Sequence, residues 1–154
     1  MISATAWFRD APAAGELGVR GANLVRQHAV FEARGHLTVG EIGKGMPFVP
    51  RRFFVISAVP AEDIRGEHAH RELHQFLVCL AGSVVVDVDD GERRGTVRLD
   101  CPQVGLHLEP RVWASQHNYT RDAVLLVLAS GEYDPADYIR RYEDFLAQCR
   151  GRKP

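Results

Sequence analysis

The chain reads Arg65-Gly-Glu-His68-Ala-His70-Arg-Glu-Leu-His74-Gln75-Phe-Leu-Val-Cys-Leu-Ala-Gly82 near its middle. Two of its histidines, His68 and His70, are two positions apart, so on a strand both side chains point to the same face of the sheet. The apolar residues that follow indicate that this face is buried. The stretch therefore predicts two histidines side by side on the inner wall of a β-structure.

Short apolar segments separated by turn signals continue on both sides of this stretch. Each is about strand length, and they are Leu37–Ile42, Arg52–Val59, His74–Leu80, Ser83–Val88, Thr96–Leu99, Val104–Leu108 and Ala123–Ala129. Asp90-Gly91, between two β-branched segments, is a hairpin signal. Because no helical pattern separates these strands, the spacing favours a β-sandwich or barrel.

The two ends of the chain differ from this pattern. Residues 1–20 show little periodicity and are predicted to be a loose lead-in to a single domain over residues 21–150. Asp134-Pro135-Ala136-Asp137 has the composition of a helix start, with an N-cap residue, a proline and an acid in order. Apolar residues then recur at helical spacing, which predicts a helix over about residues 135–148.

Composition limits the class of protein. The 154 residues carry a formal charge of −1, which gives no general attraction to nucleic acid. No apolar run approaches the roughly 18 residues that a membrane span needs, and the start of the chain has no signal-peptide pattern. Three cysteines without a CxxC motif indicate reduced thiols. We therefore expect a cytoplasmic protein.

The stretch Arg65–Gly82 matches the first motif of the cupins. The motif has His-x-His, a polar residue five positions after the second histidine, and a glycine after six more residues. This resemblance implies an all-β fold, a cupin or jelly-roll β-barrel, here with a short C-terminal α-helix. Metal-binding cupins normally have Glu where this chain has Gln75 and a second-motif His where it has Ser115. Because a carboxamide replaces a carboxylate ligand poorly, we expect neither metal nor cofactor. His74 and His117 keep open the alternative of a rebuilt metal site.

Without a metal, His68 and His70 form a candidate proton-transfer pair. An unperturbed histidine titrates near pH 6.5, which suits removal and return of a proton beside a carbonyl group. Two packed or surface histidines would be the simpler interpretation, but their common direction after Arg65-Gly66 favours a function.

Further segments between about residues 20 and 147 fit one family. They are Arg34-Gly-His-Leu with Glu41, Pro47-Phe48 with Arg51-Arg52, Arg65-Gly-Glu-His68-Ala-His70, Leu99-Asp-Cys-Pro102 with Gly105, Trp113, Asp122-Ala-Val-Leu-Leu-Val-Leu-Ala-Ser130, and Tyr133-Asp with Asp137-Tyr-Ile-Arg140. Together they resemble the sugar-nucleotide 3,4-ketoisomerases. The combination is specific, whereas no single segment would be.

The resemblance implies a metal-independent, homodimeric enzyme. It would move the ketone of a dTDP-4-keto-6-deoxyhexose from C4 to C3, so that amination yields a 3-amino-3,6-dideoxy sugar for lipopolysaccharide, another glycan or a natural product. His68 and His70 match the family's catalytic histidines, and Arg65 and Gln75 match its pocket. Phe53-Phe54 and Ala114 depart from the family pattern.

The nucleotide sugar itself suggests further binding residues. A diphosphate needs cationic side chains, and thymine offers a surface for an aromatic ring. With Gln75, the predicted substrate-binding residues are Arg52, Arg65, Arg34, Trp113, His107 and His117.

The expected chemistry is removal of the C3 proton, formation of an enediolate and reprotonation at C4. We prefer His70 as the base, because Arg65 lies nearer to His68 and would disfavour its protonation. A homodimer is expected because a jelly roll has exposed sheet edges and residues 23–31 carry apolar side chains. The alternatives are a metal-dependent cupin dioxygenase or isomerase, a non-catalytic sugar-nucleotide-binding cupin, and a 3,5-epimerase.

Overall fold

The computed structural model describes residues 1–10 and 14–150. The strands in this part of the chain are β1 (Ile2–Ser3), β2 (Ala14–Glu16), β3 (Ala22–Arg26), β4 (His28–Glu32), β5 (Gly35–Val39), β6 (Glu41–Ile42), β7 (Gly45–Met46), β8 (Arg52–Ser57), β9 (Arg65–His70), β10 (Gln75–Ala81), β11 (Val84–Asp89), β12 (Arg94–Leu99), β13 (Val104–Leu108), β14 (Trp113–His117), β15 (Val124–Ala129) and β16 (Tyr138–Ile139). The helices are α1 (Ala4–Asp10) and α2 (Tyr142–Arg150), with a 3₁₀ turn at Pro135–Asp137.

Two six-stranded sheets form the body of the fold. The first has the order β1-β12-β11-β14-β9-β16 and the second β2-β3-β13-β10-β15-β8. Pairing within both is antiparallel apart from the short β1, which runs parallel to β12. Most neighbouring strands are distant in sequence, as in a jelly roll. The prediction of an all-β jelly-roll fold with a short C-terminal helix is confirmed.

The apolar core lies between the inner faces of these sheets. Val84 and Val86 of β11 point inward. Asp87, which lies between Val86 and Val88, points outward. Leu77 and Leu106 of the second sheet meet these valines, and all four apolar side chains are fully buried. Burying each such side chain contributes about 1.5–3 kcal/mol. This core fixes the two sheets face to face.

The N-terminal segment is not the loose lead-in that the sequence predicts. Strand β1 pairs with β12, and Ala4 of helix α1 belongs to the core. The carboxylate of Asp100 accepts hydrogen bonds from the Ser3 hydroxyl (2.7 Å) and from the backbone N–H (2.8 Å) and hydroxyl (2.9 Å) of Thr5. The residues in contact are almost 100 positions apart in the chain, so no local sequence pattern could predict these hydrogen bonds.

The C-terminal helix begins later than predicted. Asp134-Pro135-Ala136-Asp137 makes only a capped 3₁₀ turn. Strand β16 follows and pairs with β9, with Tyr138 opposite His70. Helix α2 then starts at Tyr142. Burial of Ile139 and the new strand pairing stabilise the extended path over a continued helix.

The hairpin formed by β4 and β5 belongs to neither large sheet. Its Phe31 and Leu37 are more than half exposed. The edge strand β8 also exposes two apolar side chains, Phe53 and Val55. Exposed apolar side chains that cluster in this way commonly mark a protein interface.

Neither helix of the described residues is long and apolar enough to cross a membrane.

Candidate active site

Strand β9 places the two predicted catalytic histidines side by side. The ring centroids of His68 and His70 lie 5.0 Å apart in an edge-on arrangement. The strand bulges just before them, where Gly66 and Glu67 have positive φ and the register with β14 shifts. A Cβ atom on Gly66 would lie 2.8 Å from the carbonyl oxygen of Ala114. Glycine at this position therefore allows the close approach of β14.

Both ring nitrogens of His70 have partners. Nδ1 lies 2.7 Å from the Asp137 carboxylate, and Nε2 lies 3.1 Å from the side-chain nitrogen of Gln75. The other carboxylate oxygen of Asp137 accepts the backbone N–H of Glu72 at 2.8 Å. Because a carboxylate can only accept, Nδ1 of His70 carries the hydrogen. Nε2 then has a lone pair, which accepts a hydrogen bond from the amide of Gln75.

His68 has the same tautomer but a freer second nitrogen. Its Nδ1 lies 2.8 Å from the carbonyl oxygen of Gly66 and donates to it. Nε2 has no hydrogen-bond partner within the described part of the chain. Each histidine thus presents an Nε2 lone pair that can accept a proton.

Burial keeps both histidines neutral. Desolvation lowers the pKa of His70 to about 4, outweighing the opposite effect of its hydrogen bond to Asp137. Desolvation also lowers the pKa of His68; the hydrogen bond to Gly66 opposes it and the charge of Arg140 adds to it. Neutral imidazoles can act as bases at neutral pH. The sequence predicts that Arg65 supplies the positive charge near His68, but in the structure the charge that lowers the pKa of His68 belongs to Arg140.

A narrow pocket adjoins the pair between the two sheets. Its lining includes His68, His70, Gln75, Gln116, Glu109 and Leu73. The free volume is about 10 Å³, room for one water molecule and too small for a hexose. A sugar ring enters this pocket only if side chains at its mouth move apart.

Tyr138 of β16 covers the two histidines. Its ring centroid lies 4.8 Å from that of His68 and 4.5 Å from that of His70. Tyr133 extends this aromatic surface, 5.8 Å from Tyr138. The ring of Tyr138 thereby fixes the orientation of both imidazoles from the side of the C-terminal segment.

Arg52 reaches the far end of the same surface. Its guanidinium lies 5.5 Å from the Tyr133 ring and 5.4 Å from the Phe54 ring. Its charge is close enough to His70 to contribute to the lowered pKa. Nε and Nη2 of Arg52 are buried without a hydrogen-bond partner among the described residues. Buried donors without partners are costly, so these nitrogens are suited to oxygen atoms of a ligand.

The structure does not bring Trp113 and His117 to the histidine pair. Ala114 pairs with His68 and shares its face, whereas Trp113 and His117 alternate to the opposite face of β14. Trp113 packs against the aromatic residues of helix α2. His117 lies 2.8 Å from the carboxylate of Asp87. The register that sets these faces depends on pairing with β11, which the sequence does not specify.

His107 also lies on a different face from Gln75. Gln75 pairs with Leu108, whereas His107 pairs with Phe76. Nε2 of His107 lies 3.0 Å from Nδ1 of His74, and the two rings are stacked. Burial, with a smaller contribution from the neighbouring His74, lowers the pKa of His107 to about 4. This second histidine pair is separate from the first.

The last two predicted arginines are exposed. Arg34 lies in the β4–β5 hairpin and pairs with Glu32 at 2.9 Å. Arg65 begins β9 with an exposed side chain. Of the predicted substrate-binding residues, the structure therefore brings Gln75 and Arg52 to the histidines.

A wider groove among the described residues lies elsewhere. It has a volume of about 540 Å³ and is lined by Trp113, Ser115, Asp87, Asp89, Arg94 and Tyr142, among others. Apart from Tyr142 of helix α2, these residues belong to the outer face of the first sheet, opposite the face that carries the histidines. The groove is therefore not the site of the histidine chemistry.

The described residues contain no group of three or more His, Cys, Asp or Glu side chains that could hold a metal ion. Gln75 offers His70 an amide where a cupin metal site needs a carboxylate. Ser115 pairs with Asp87 and so lies on the outer face, away from the pair.

Sequence reasoning missed three neighbours of the histidines: Asp137, Tyr138 and Arg140. All belong to the Asp-Tyr-Ile-Arg segment that contributes to the family resemblance. The helix-start pattern Asp134-Pro135-Ala136-Asp137, which leads into this segment, predicts a helix, so the strand was not predicted. The alternation of Tyr138 with the buried Ile139 is the local signal that would have suggested one.

Comparisons with known proteins identify relatives of this chain. The sequence profile of the family described as "FdtA: WxcM-like, C-terminal" matches residues 20–150. A TDP-4-oxo-6-deoxy-alpha-D-glucose-3,4-oxoisomerase of Aneurinibacillus thermoaerophilus is 44% identical over 116 residues, 75% of this chain and 84% of the relative.

Solved structures give the same relationship. The 3,4-ketoisomerase QdtA of Thermoanaerobacterium thermosaccharolyticum is 35% identical, with a TM-score of 0.84 over 87% of this chain and 97% of that one. It was crystallised as a His-to-Asn mutant in complex with TDP-4-keto-6-deoxyglucose. The TDP-quinovose 3,4-ketoisomerase WlaRB of Campylobacter jejuni is 34% identical, with a TM-score of 0.80 over 84% of this chain and 99% of that one.

Proposed function

The chain belongs to the FdtA family of cupin-fold sugar-nucleotide 3,4-ketoisomerases, and on that premise we propose that it moves the ketone of a dTDP-4-keto-6-deoxyhexose from C4 to C3. The observation that carries the mechanism is the chain of hydrogen bonds from Asp137 through His70 to Gln75. It holds a neutral imidazole with its Nε2 lone pair toward the pocket.

His70 is the base of this mechanism. The C4 ketone acidifies the hydrogen on C3, and substrate displaces the amide of Gln75 so that Nε2 of His70 can remove that proton. The electron pair left on C3 forms an enediolate over C3 and C4. The imidazolium then has Asp137 beside it, which stabilises its positive charge.

The second half of the reaction returns the proton. C4 receives a proton from His70, while the C3 hydroxyl gives up its own and becomes the ketone. His68, with its free Nε2, is placed to carry the hydroxyl proton from O3 to O4. Each well-placed acid–base step contributes about 10²–10⁴-fold to the rate.

Arg52 stabilises the negative charge of the enediolate. Its buried, unpartnered Nε and Nη2 are donors near His70. Donors that are already in place and shielded from water stabilise a developing oxyanion more strongly than solvent does. The mechanism assigns no step to a metal or cofactor.

We propose that the protein is a homodimer in the cytoplasm. The isolated β4–β5 hairpin exposes Phe31 and Leu37, and strand β8 exposes Phe53 and Val55 at the sheet edge. A second copy would cover both surfaces, as is common for symmetric dimers. The expected product is a 3-keto sugar that an aminotransferase converts to a 3-amino-3,6-dideoxy sugar.

Incubation with dTDP-4-keto-6-deoxyglucose, followed by NMR of the product, tests this function. The proposal expects the carbonyl carbon signal to move from C4 to C3. Unchanged substrate that remains bound would favour the non-catalytic binding protein, and inversion at C3 or C5 would favour an epimerase. Activity that a chelator removes and one metal restores would favour the metal-dependent cupin.

A further inference from the structure

Arg140 directly follows strand β16, the neighbour of β9, and lies beside the histidine pair. In the antiparallel pairing of β16 with β9, Tyr138 is opposite His70 and Ile139 is opposite Ala69. The next residue, Arg140, therefore follows on the side of His68. Continuing the alternation of β16 by one residue puts Arg140 on the same face as Tyr138, which covers the histidines.

The guanidinium of Arg140 has a fixed place there. It stacks on the Tyr138 ring, 4.3 Å from the centroid. A guanidinium held over an aromatic face keeps its full charge, and its N–H donors stay available at the edge of the ring. The side chain is exposed, so these donors are accessible to a ligand.

Arg140 also differs from the arginine that follows it. Arg141 pairs with Glu143 at 3.9 Å, whereas Arg140 forms no ion pair with any carboxylate of the described residues. Its charge nevertheless reaches the site, because it contributes to the lowered pKa of His68. An ordered arginine without a carboxylate partner, next to a catalytic histidine, can bind an external anion.

We propose that Arg140 binds an anionic oxygen of the nucleotide sugar beside His68. This inference rests on the ketoisomerase function and adds a residue to its substrate contacts. A guanidinium recognises a diphosphate and an enediolate oxygen through the same charge-assisted hydrogen bonds. The two sources differ in when the contact forms: the diphosphate is anionic in the ground state, and the enediolate exists only during the reaction.

The test compares Arg140→Gln with Arg141→Gln, the adjacent exposed arginine on the same stretch. TDP affinity is measured by calorimetry, and kcat and KM are measured with dTDP-4-keto-6-deoxyglucose. If Arg140 binds the diphosphate, Arg140→Gln weakens TDP binding and raises KM about tenfold or more, with kcat within a few-fold. If it binds the enediolate, TDP affinity is unchanged and kcat falls about tenfold or more.

Either result supports the inference, provided that Arg141→Gln behaves as wild type. Arg140→Lys keeps the charge and should restore part of the loss, which a purely structural role would not predict. Equal TDP affinity, kcat and KM in Arg140→Gln and wild type would overturn the inference while leaving the ketoisomerase function intact. A wild-type protein that binds TDP but does not isomerise the sugar would instead overturn the proposed function, and the TDP arm would still test Arg140.

Discussion

The Asp137 carboxylate lies 2.7 Å from Nδ1 of His70, although the two residues are 67 positions apart in the chain. Strand β16 brings them together by pairing with β9 immediately after the turn that contains Asp137. This contact fixes the tautomer of His70 and so determines which nitrogen can act as a base. The C-terminal segment is therefore part of the candidate active site as well as of the fold.

Replacing Asp137 with Asn should lower kcat about 10²-fold, within the range of general acid–base contributions. The amide can donate to Nδ1 of His70, which would move the ring hydrogen to Nε2 and remove the basic lone pair. Asp134→Asn is the matched control, because Asp134 only caps the same turn and Asn caps equally well. Steady-state kinetics of both variants provide the measurement. Wild-type kcat in Asp137→Asn would contradict the role of this contact.

The rate should depend little on pH where an ordinary histidine would titrate. His70 must be neutral to accept a proton, and burial lowers its pKa to about 4, so the basic form persists well below pH 6.5. We expect kcat/KM to stay level from about pH 8 to pH 5 and to fall toward pH 4. A tenfold loss per unit already below pH 6.5 would mean that the base is an unperturbed histidine.

Gln75→Glu should turn the site toward metal binding. A carboxylate beside Nε2 of His70, with His68 on the same face, supplies the ligand type that cupin metal sites use. The variant should retain Zn²⁺ or Mn²⁺ after dialysis and should lose ketoisomerase activity. Gln103→Glu, another buried glutamine, is the control and should retain neither ion. Elemental analysis of both variants and wild type decides the outcome, and equal metal content in all three would refute the prediction.

Leu37→Asp should dissociate the proposed homodimer. The substitution puts a charge on an exposed apolar side chain of the β4–β5 hairpin, where it would be buried against a second copy. Ile64→Asp, at a similarly exposed residue outside the hairpin, should leave the assembly unchanged. Sedimentation at tens of micromolar should show a dimer for wild type and a monomer for Leu37→Asp. A monomeric wild type would remove the basis of the homodimer proposal.

The parts of the fold that follow local rules could be predicted from the sequence. Alternation places His68 and His70 on one face, and the cupin spacing identifies Gln75 as their neighbour, as the structure has them. Apolar segments between turn signals predicted six of the twelve strands of the two sheets. These features depend on residues a few positions apart.

Features set by long-range pairing could not be predicted in this way. The face of Trp113 depends on the register between β14 and β11, and a shift of one residue would reverse it. The N-terminal segment is held in place by hydrogen bonds to Asp100. The position of Asp137 beside His70 depends on the pairing of β16 with β9. The residues around Pro135 predict a helix, but strand β16 forms after them instead because its pairing with β9 buries Ile139.

The central claim is that His70 transfers the proton between C3 and C4. Its most direct test follows isomerisation of dTDP-4-keto-6-deoxyglucose in deuterated water by NMR, with wild type, His70→Asn and His68→Asn. Wild type should place deuterium at C4 of the 3-keto product, because the hydrogen on Nε2 of His70 exchanges with solvent before it is delivered to C4, and a chelator should change nothing. His70→Asn should isomerise and incorporate deuterium about 10²-fold or more slowly, with TDP affinity within a few-fold, because the lost interaction belongs to the transition state. Wild-type isomerisation and deuterium incorporation by His70→Asn would contradict the claim.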